Sequence, residues 1–140
     1  MRTEVFLDTA YAIALSSSND IFHRQALALA EELEAAGVRL ITTRAVLLEI
    51  GNALSKQRSR QAAIALLIAL EIDPLVEIVS LSEQLYSRAL QLYRERLDKE
   101  WGLTDCISFI AMRDRGIVEA LTTDEHFQQA GFCALMREGS

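Results

Sequence analysis

Lysine is almost missing from this chain: Lys56 and Lys99 are the two lysines in 140 residues. Lys+Arg total 14 against 20 Asp+Glu, a formal net charge of −6 with a pI near 4.9. That balance argues against phosphate binding by a broad basic face. A nucleic-acid partner would need cations held by the surplus carboxylates, so the placement of the acids matters more than their number. Cysteine is equally scarce, and Cys106 and Cys133 have no CxxC or Cys/His spacing, so neither a zinc site nor a disulfide framework is expected and both read as buried thiols. The longest apolar run, 62–70, falls short of the roughly 20 residues of a membrane span. No basic-then-apolar leader opens the chain, and a cytoplasmic location is the expectation. With one proline, six glycines and no repeat or low-complexity segment, the sequence reads as a single domain over 1–140.

What is present is apolar and regularly punctuated. Hydrophobic residues make up 51%, enough for a real core and incompatible with disorder. Short apolar runs at 5–7, 38–41, 75–79, 118–121 and 132–135 read as strands. Between them, helices are expected over 20–36 (Asp20 as N-cap, Gly37 closing it), 43–56, 59–72, 82–96, 104–115 (closed by Gly116) and 124–130. Continuous apolar strands alternating with helices imply a three-layer α/β protein around a mainly parallel sheet. The irregular stretch 97–103 stands out as a candidate functional loop.

Ligands of parallel α/β sheets sit outside the carboxyl ends of the strands, where strand order reverses. Asp8 directly follows the first strand, as a ligand or as a turn residue. Glu49 falls among Ala45, Val46, Ile50, Ala53 and Leu54, the expected buried stripe of its helix. A buried carboxylate must be paired with a base such as Arg44, hydrogen-bonded, or bound to a metal. Asp105 opens a helix, where the helix dipole alone favours it, and Asp124 follows the fourth strand, where capping alone explains it. Four carboxylates from four segments, if they converge, repel one another unless cations neutralise them. Hard oxygen donors suit Mg²⁺ or Mn²⁺. His23 and His126 lack a spaced partner histidine and read as surface or capping residues, and Trp101 as packing beneath its loop.

The opening VFLDTAYAIAL, Glu49 within LLEIGNAL, and the block DKEWGLTDCISFIAMRDRGIVEALTTDEHFQQAGF from Asp98 to Phe132 resemble a PIN domain over essentially the whole length, and more narrowly the VapC-type ribonuclease toxins. The resemblance implies a three-layer α/β/α sandwich with strand order 3-2-1-4-5, and metal-binding, catalytic acids at Asp8, Glu49, Asp105 and Asp124. Thr9, Thr104 and Ser108 would be the hydroxyls lining the site, with Thr123 an addition beside Asp124 and Asp98 kept outside the main set. The implied activity is Mg²⁺- or Mn²⁺-dependent hydrolysis of RNA, leaving 5′-phosphate and 3′-hydroxyl ends, with two ions about 3.5–4 Å apart. The implied partners are an RNA substrate, a second copy of the chain and a cognate antitoxin. The competing reading is a silent PIN module that only binds RNA or protein. A phosphoacceptor receiver domain fails because no lysine follows Lys99, and an Asp-x-Asp phosphatase because residue 10 is alanine. The segment 59–72 is apolar on nearly every side, as either a wholly buried helix or a shared interface.

Overall fold

The computed structural model describes residues 2–137. Strands β1 (Glu4–Leu7), β2 (Arg39–Thr43), β3 (Val76–Val79), β4 (Glu119–Leu121) and β5 (Cys133–Ala134) form one sheet in the order β3-β2-β1-β4-β5, every pairing parallel. The helices are α1 (Thr9–Ser16), α2 (His23–Ala35), α3 (Arg44–Ala53), α4 (Gln57–Ile72), α5 (Glu83–Glu95), α6 (Leu103–Arg115) and α7 (Glu125–Gln129). The chain first winds outward from β1 to β2 and β3, then returns past β1 to β4 and β5. Because parallel crossovers are right-handed, this reversal puts α1, α2 and α4 on one face and α5, α6 and α7 on the other. The three-layer sandwich expected from the strand and helix pattern is the fold observed, and no described helix is long and apolar enough to cross a membrane.

The first face packs Tyr11, Leu33 and Leu70 over β1 to β3, and the second carries an aromatic chain. Trp101 meets Phe109 edge-on at 5.0 Å, Phe109 meets Phe127 at 5.0 Å, and Phe127 leans on Phe6 of β1 at 6.3 Å. Contacts of this geometry add to the area they bury. They tie α6 and α7, which carry Asp105 and the residues after Asp124, to the central strand.

Several boundaries differ from the sequence expectation. Helix α1 was not expected, since TAYAIALS is apolar throughout and shows no helical period. Helix α2 starts at His23 because the Asp20 carboxylate accepts the Phe22 N–H at 2.8 Å and holds the chain in a turn. Gly37 at φ +67° closes that helix, with Val38 N–H reaching Leu33 C=O at 3.0 Å, and Gly116 at φ +67° ends α6 likewise, with Ile117 N–H on Met112 C=O at 3.0 Å. The expected helix 43–56 is shorter, because Thr43 belongs to β2 and caps α3 by accepting Val46 N–H. Of the two thiols, Cys106 is buried but Cys133 is only half-buried, since β5 is an edge strand. Helix α4 is not wholly buried: Ile64, Ile68 and Ile72, four residues apart, form an exposed apolar stripe.

At the amino ends of the strands, charges are paired. Arg115 reaches Glu77 at 2.7 Å and Glu4 at 3.1 Å, Arg39 reaches Glu77 at 3.2 Å, and Arg2 reaches Glu119 at 2.8 Å.

Candidate metal centre

The carboxyl ends of β1 and β4 lie side by side at the point where strand order reverses, tied by Asp8 N–H on Leu121 C=O at 3.2 Å. Asp8 is the residue before α1, yet its side chain makes no helix cap. It turns instead toward β4, where the Thr122 hydroxyl donates to Oδ2 at 2.7 Å. The same hydroxyl oxygen accepts Asp124 N–H at 3.0 Å, so one buried threonine positions both acids. Asp124 then caps α7 by accepting His126 N–H at 2.9 Å. Asp105 stands in the first turn of α6, where Gly102 N–H donates to its Oδ2 at 3.0 Å. Glu49 comes from α3 and accepts the Thr9 hydroxyl at 2.5 Å.

The electrostatics follow from this crowding. Asp8 is 6% exposed, and burial pushes its carboxyl up to about 7; the hydrogen bonds from Thr122 and the Thr9 backbone oppose the rise, while the charges of Asp105 and Glu49 add to it. Asp105 is also raised, chiefly by burial, with Asp124 adding and Gly102 and His126 opposing. Among the described residues, no arginine or lysine forms an ion pair with Asp8, Glu49, Asp105 or Asp124. The side chain in reach of both Asp105 and Asp124 is His126, whose Nδ1 lies 3.1 Å from Asp105 Oδ2 and 3.4 Å from Asp124 Oδ1. One ligand atom each from Asp105, Asp124 and His126 fall within 4.8 Å of one another. A set of carboxylate oxygens that no guanidinium neutralises, one of them held near its neutral form, fits a divalent cation.

Some sequence expectations need correction. Glu49 is exposed rather than buried, so the cost of a buried charge falls on Asp8 instead. At about 100° per residue Glu49 sits between Ala45 and Val46 around the helix axis, the inward side. Its exposure there, like that of Asn52 and Ala53, means that no neighbouring layer covers this end of α3. Arg44 is not its partner, because it pairs with Glu71 of α4. Asp98 is also elsewhere: its carboxylate grips Arg96 at 2.9 and 3.0 Å, and Arg96 stacks over Trp101 at 5.0 Å. The 97–103 loop thus serves the site indirectly, with Trp101 beneath it donating to Gln129 at 3.0 Å and Gly102 fixing Asp105.

Of the hydroxyls, Thr9 meets an acid, whereas Ser108 donates to the Thr104 carbonyl at 3.1 Å within its own helix, and Thr123 offers its carbonyl to Arg137 at 2.9 Å. Thr122 and His126 are the contributors that sequence reasoning passed over. A hydroxyl one residue earlier in TTD, and a histidine two residues past a capping aspartate, were the available signals. His23, by contrast, ties α2 to α1 through Nδ1 and the Ala14 carbonyl at 2.7 Å.

Comparison with known proteins bears on the family and the fold. The 23S rRNA-specific endonuclease VapC20 of Mycobacterium tuberculosis is 27% identical over 135 residues, covering 96% of this chain and 99% of that protein. The crystal structure of VapC20, described as a Sarcin-Ricin loop cleaving toxin, superposes with a TM-score of 0.80 at 27% identity, over 91% of this chain and 95% of that one. VapBC2 from Rickettsia felis, bound to a DNA fragment from their promoter, matches at TM-score 0.69 and 15% identity over 94% of this chain and 96% of that one. FitAcB from Neisseria gonorrhoeae matches at 0.64 and 16%, over 93% and 95%. The last two likenesses speak for the fold alone. Residues 5–132 match the family profile described as PIN domain, and the chain belongs to the PIN-domain family.

Proposed function

We propose that this chain is a metal-dependent endoribonuclease that hydrolyses RNA phosphodiester bonds, acting as a single PIN domain and as the toxin of a type II toxin–antitoxin pair. The observation that carries the reading is the group of carboxylates at the reversal of strand order that, among the described residues, no arginine or lysine neutralises. Asp8, Glu49, Asp105 and Asp124 would hold Mg²⁺ or Mn²⁺, and such an ion supplies Lewis acidity, making water a better nucleophile and offsetting charge on the phosphoryl oxygens. The chain's own part is positioning. Thr122 orients Asp8 and Asp124 together, the Thr9 hydroxyl holds the Glu49 carboxylate, and Gly102 N–H fixes Asp105. Asp8, whose carboxyl burial raises to about 7, would give up its remaining proton on holding the cation.

The relative VapC20 is named for cleavage of 23S rRNA, which makes ribosomal RNA the first substrate to try. The location that goes with an RNA substrate in this reading is the cytoplasm. The partners we propose are a cognate antitoxin and a second copy of the chain, and the exposed Ile64, Ile68 and Ile72 supply apolar area for such contacts. The test is incubation of the purified chain with a mixed RNA pool and with ribosomes, with and without EDTA, followed by end mapping. The expected result is discrete cuts with 5′-phosphate ends that EDTA and Asp8→Asn both abolish. RNA binding without cleavage, or cleavage indifferent to EDTA, sinks the proposal.

A further inference from the structure

We propose that His126 is a direct nitrogen ligand of the cation held by Asp105 and Asp124, and that it biases this site toward Mn²⁺ over Mg²⁺. This rests on the metal reading above and goes beyond the four carboxylates on which that reading depends.

The argument is geometric. Two ligands at adjacent corners of an octahedron, each about 2.1 Å from the centre, stand about 3.0 Å apart. His126 Nδ1 is 3.1 Å from Asp105 Oδ2 and 3.4 Å from Asp124 Oδ1, the spacing of neighbouring corners. One ligand atom from each of the three residues falls within 4.8 Å of the others, close enough for one ion to be shared among them. The imidazole is also held in place. His126 N–H donates to the Asp124 carboxylate at 2.9 Å, and the next residue, Phe127, is fully buried between Phe6 and Phe109. The ring therefore reaches the gap from a fixed backbone, with little conformational freedom to lose on binding.

A structural role alone, capping Asp105 by a hydrogen bond, explains one of the two contacts. It does not require the ring nitrogen to be near both acids. The donor set sets the preference: Mg²⁺ favours oxygen ligands, while an imidazole nitrogen is a better donor to first-row transition ions, so two carboxylates plus one imidazole favour Mn²⁺.

The test uses the untagged chain, stripped with chelator, and Mn²⁺ as both ligand and probe. The chain contains two histidines, His23 and His126, so nitrogen coupling in pulsed electron paramagnetic resonance assigns the ligand directly. Wild type and His23→Gln are expected to show the modulation of one coordinated imidazole ¹⁴N, and His126→Gln to lose it. Calorimetry is expected to show Mn²⁺ affinity falling about tenfold or more in His126→Gln, with Mg²⁺ affinity moving less than about threefold. Mn²⁺ bound by wild type without nitrogen modulation overturns the inference and leaves the carboxylate site standing. Modulation that persists in His126→Gln does the same. Absence of Mn²⁺ binding by wild type at millimolar concentration overturns the metal reading and this inference with it. If His126→Gln does not fold, the spectra of wild type and His23→Gln decide the matter.

Discussion

The two ends of the sheet use the same kinds of charge in opposite ways. At the amino ends, Glu4, Glu77 and Glu119 are each met by a guanidinium, from Arg2, Arg39 or Arg115. At the carboxyl ends, Asp8 feels the charges of Asp105 and Glu49, Asp105 feels that of Asp124, and among the described residues no arginine or lysine is paired to any of the four. One end is neutralised within the chain and contributes to the fold. The other keeps its carboxylates without such partners, and burial, with a smaller addition from Asp105 and Glu49, raises the Asp8 carboxyl to about 7. A cation that binds the folded chain and favours the ionised form of that carboxyl stabilises the native state by mass action.

Removing an acid breaks the comparison most sharply. Asp8→Asn and Asp105→Asn are expected to fold and to lose RNA cleavage by about a hundredfold or more, beyond what outer partners usually contribute. Asn retains an oxygen for the Thr122 hydroxyl to donate to, so the local hydrogen bond survives. Single-turnover cleavage assays check this, and retained activity in either variant shows that the assigned acid is not a ligand. Thr122→Val comes next. It strips Asp8 of its side-chain donor and Asp124 N–H of its acceptor at once. Cleavage should fall about tenfold to a hundredfold, with a stability loss of about 1–3 kcal/mol measured by urea unfolding.

The pH response sharpens the same contrast. Asp8 ionises near 3.8 in an unfolded chain and near 7 in the folded one. Between those values the folded state holds an extra proton, so rising pH favours unfolding, by at most about 1.4 kcal/mol per unit, and the loss is complete above about 7. Metal-free wild type should therefore lose stability between about pH 4 and 7, and Asp8→Asn should lose less, keeping only the share of the raised Asp105 carboxyl. Millimolar Mn²⁺ should raise the melting temperature of wild type at pH 8 and do so much less at pH 5, where protons compete for the same oxygens. A wild-type profile no steeper than that of Asp8→Asn, or an equal metal effect at both pH values, shows that Asp8 does not carry this buried charge.

Much of the architecture was legible because it is local. Helix α6 announces itself through Gly116, its left-handed stop, and the apolar strand runs end within a residue or two of where they were expected. Helix α1 escaped because a segment that is apolar on every side carries no period. The acids were findable from their positions at element ends, whereas the environment of each was not. Glu49 lies on the inward arc of α3 and still meets solvent, because burial depends on whether the neighbouring layer extends that far. Thr122 and Thr123 are equivalent in sequence, and the register of β4 decides which hydroxyl reaches Asp8. The resemblance covered nearly the whole chain and carried the strand order, which periodicity alone does not contain.

The smallest effect is expected at the neutralised end, and there the prediction separates fold from site. Arg115 closes α6 onto Glu4 and Glu77, partners 111 and 38 residues away in the chain, which is why no sequence pattern displays the network. The three side chains are between 24% and 38% exposed, so solvent screens the pairs. Arg115→Met should cost about 1 kcal/mol, an amount that shrinks in molar salt. It should not be larger, because Arg39 still reaches Glu77 at 3.2 Å and keeps that carboxylate from being left alone. Cleavage per folded molecule should be unchanged, since the network sits at the end of the sheet opposite the acids. Equilibrium unfolding at low and high salt, paired with the cleavage assay, measures both quantities. A loss of activity without a loss of stability would mean that the two ends are coupled through the strands, and that the division drawn between them is wrong.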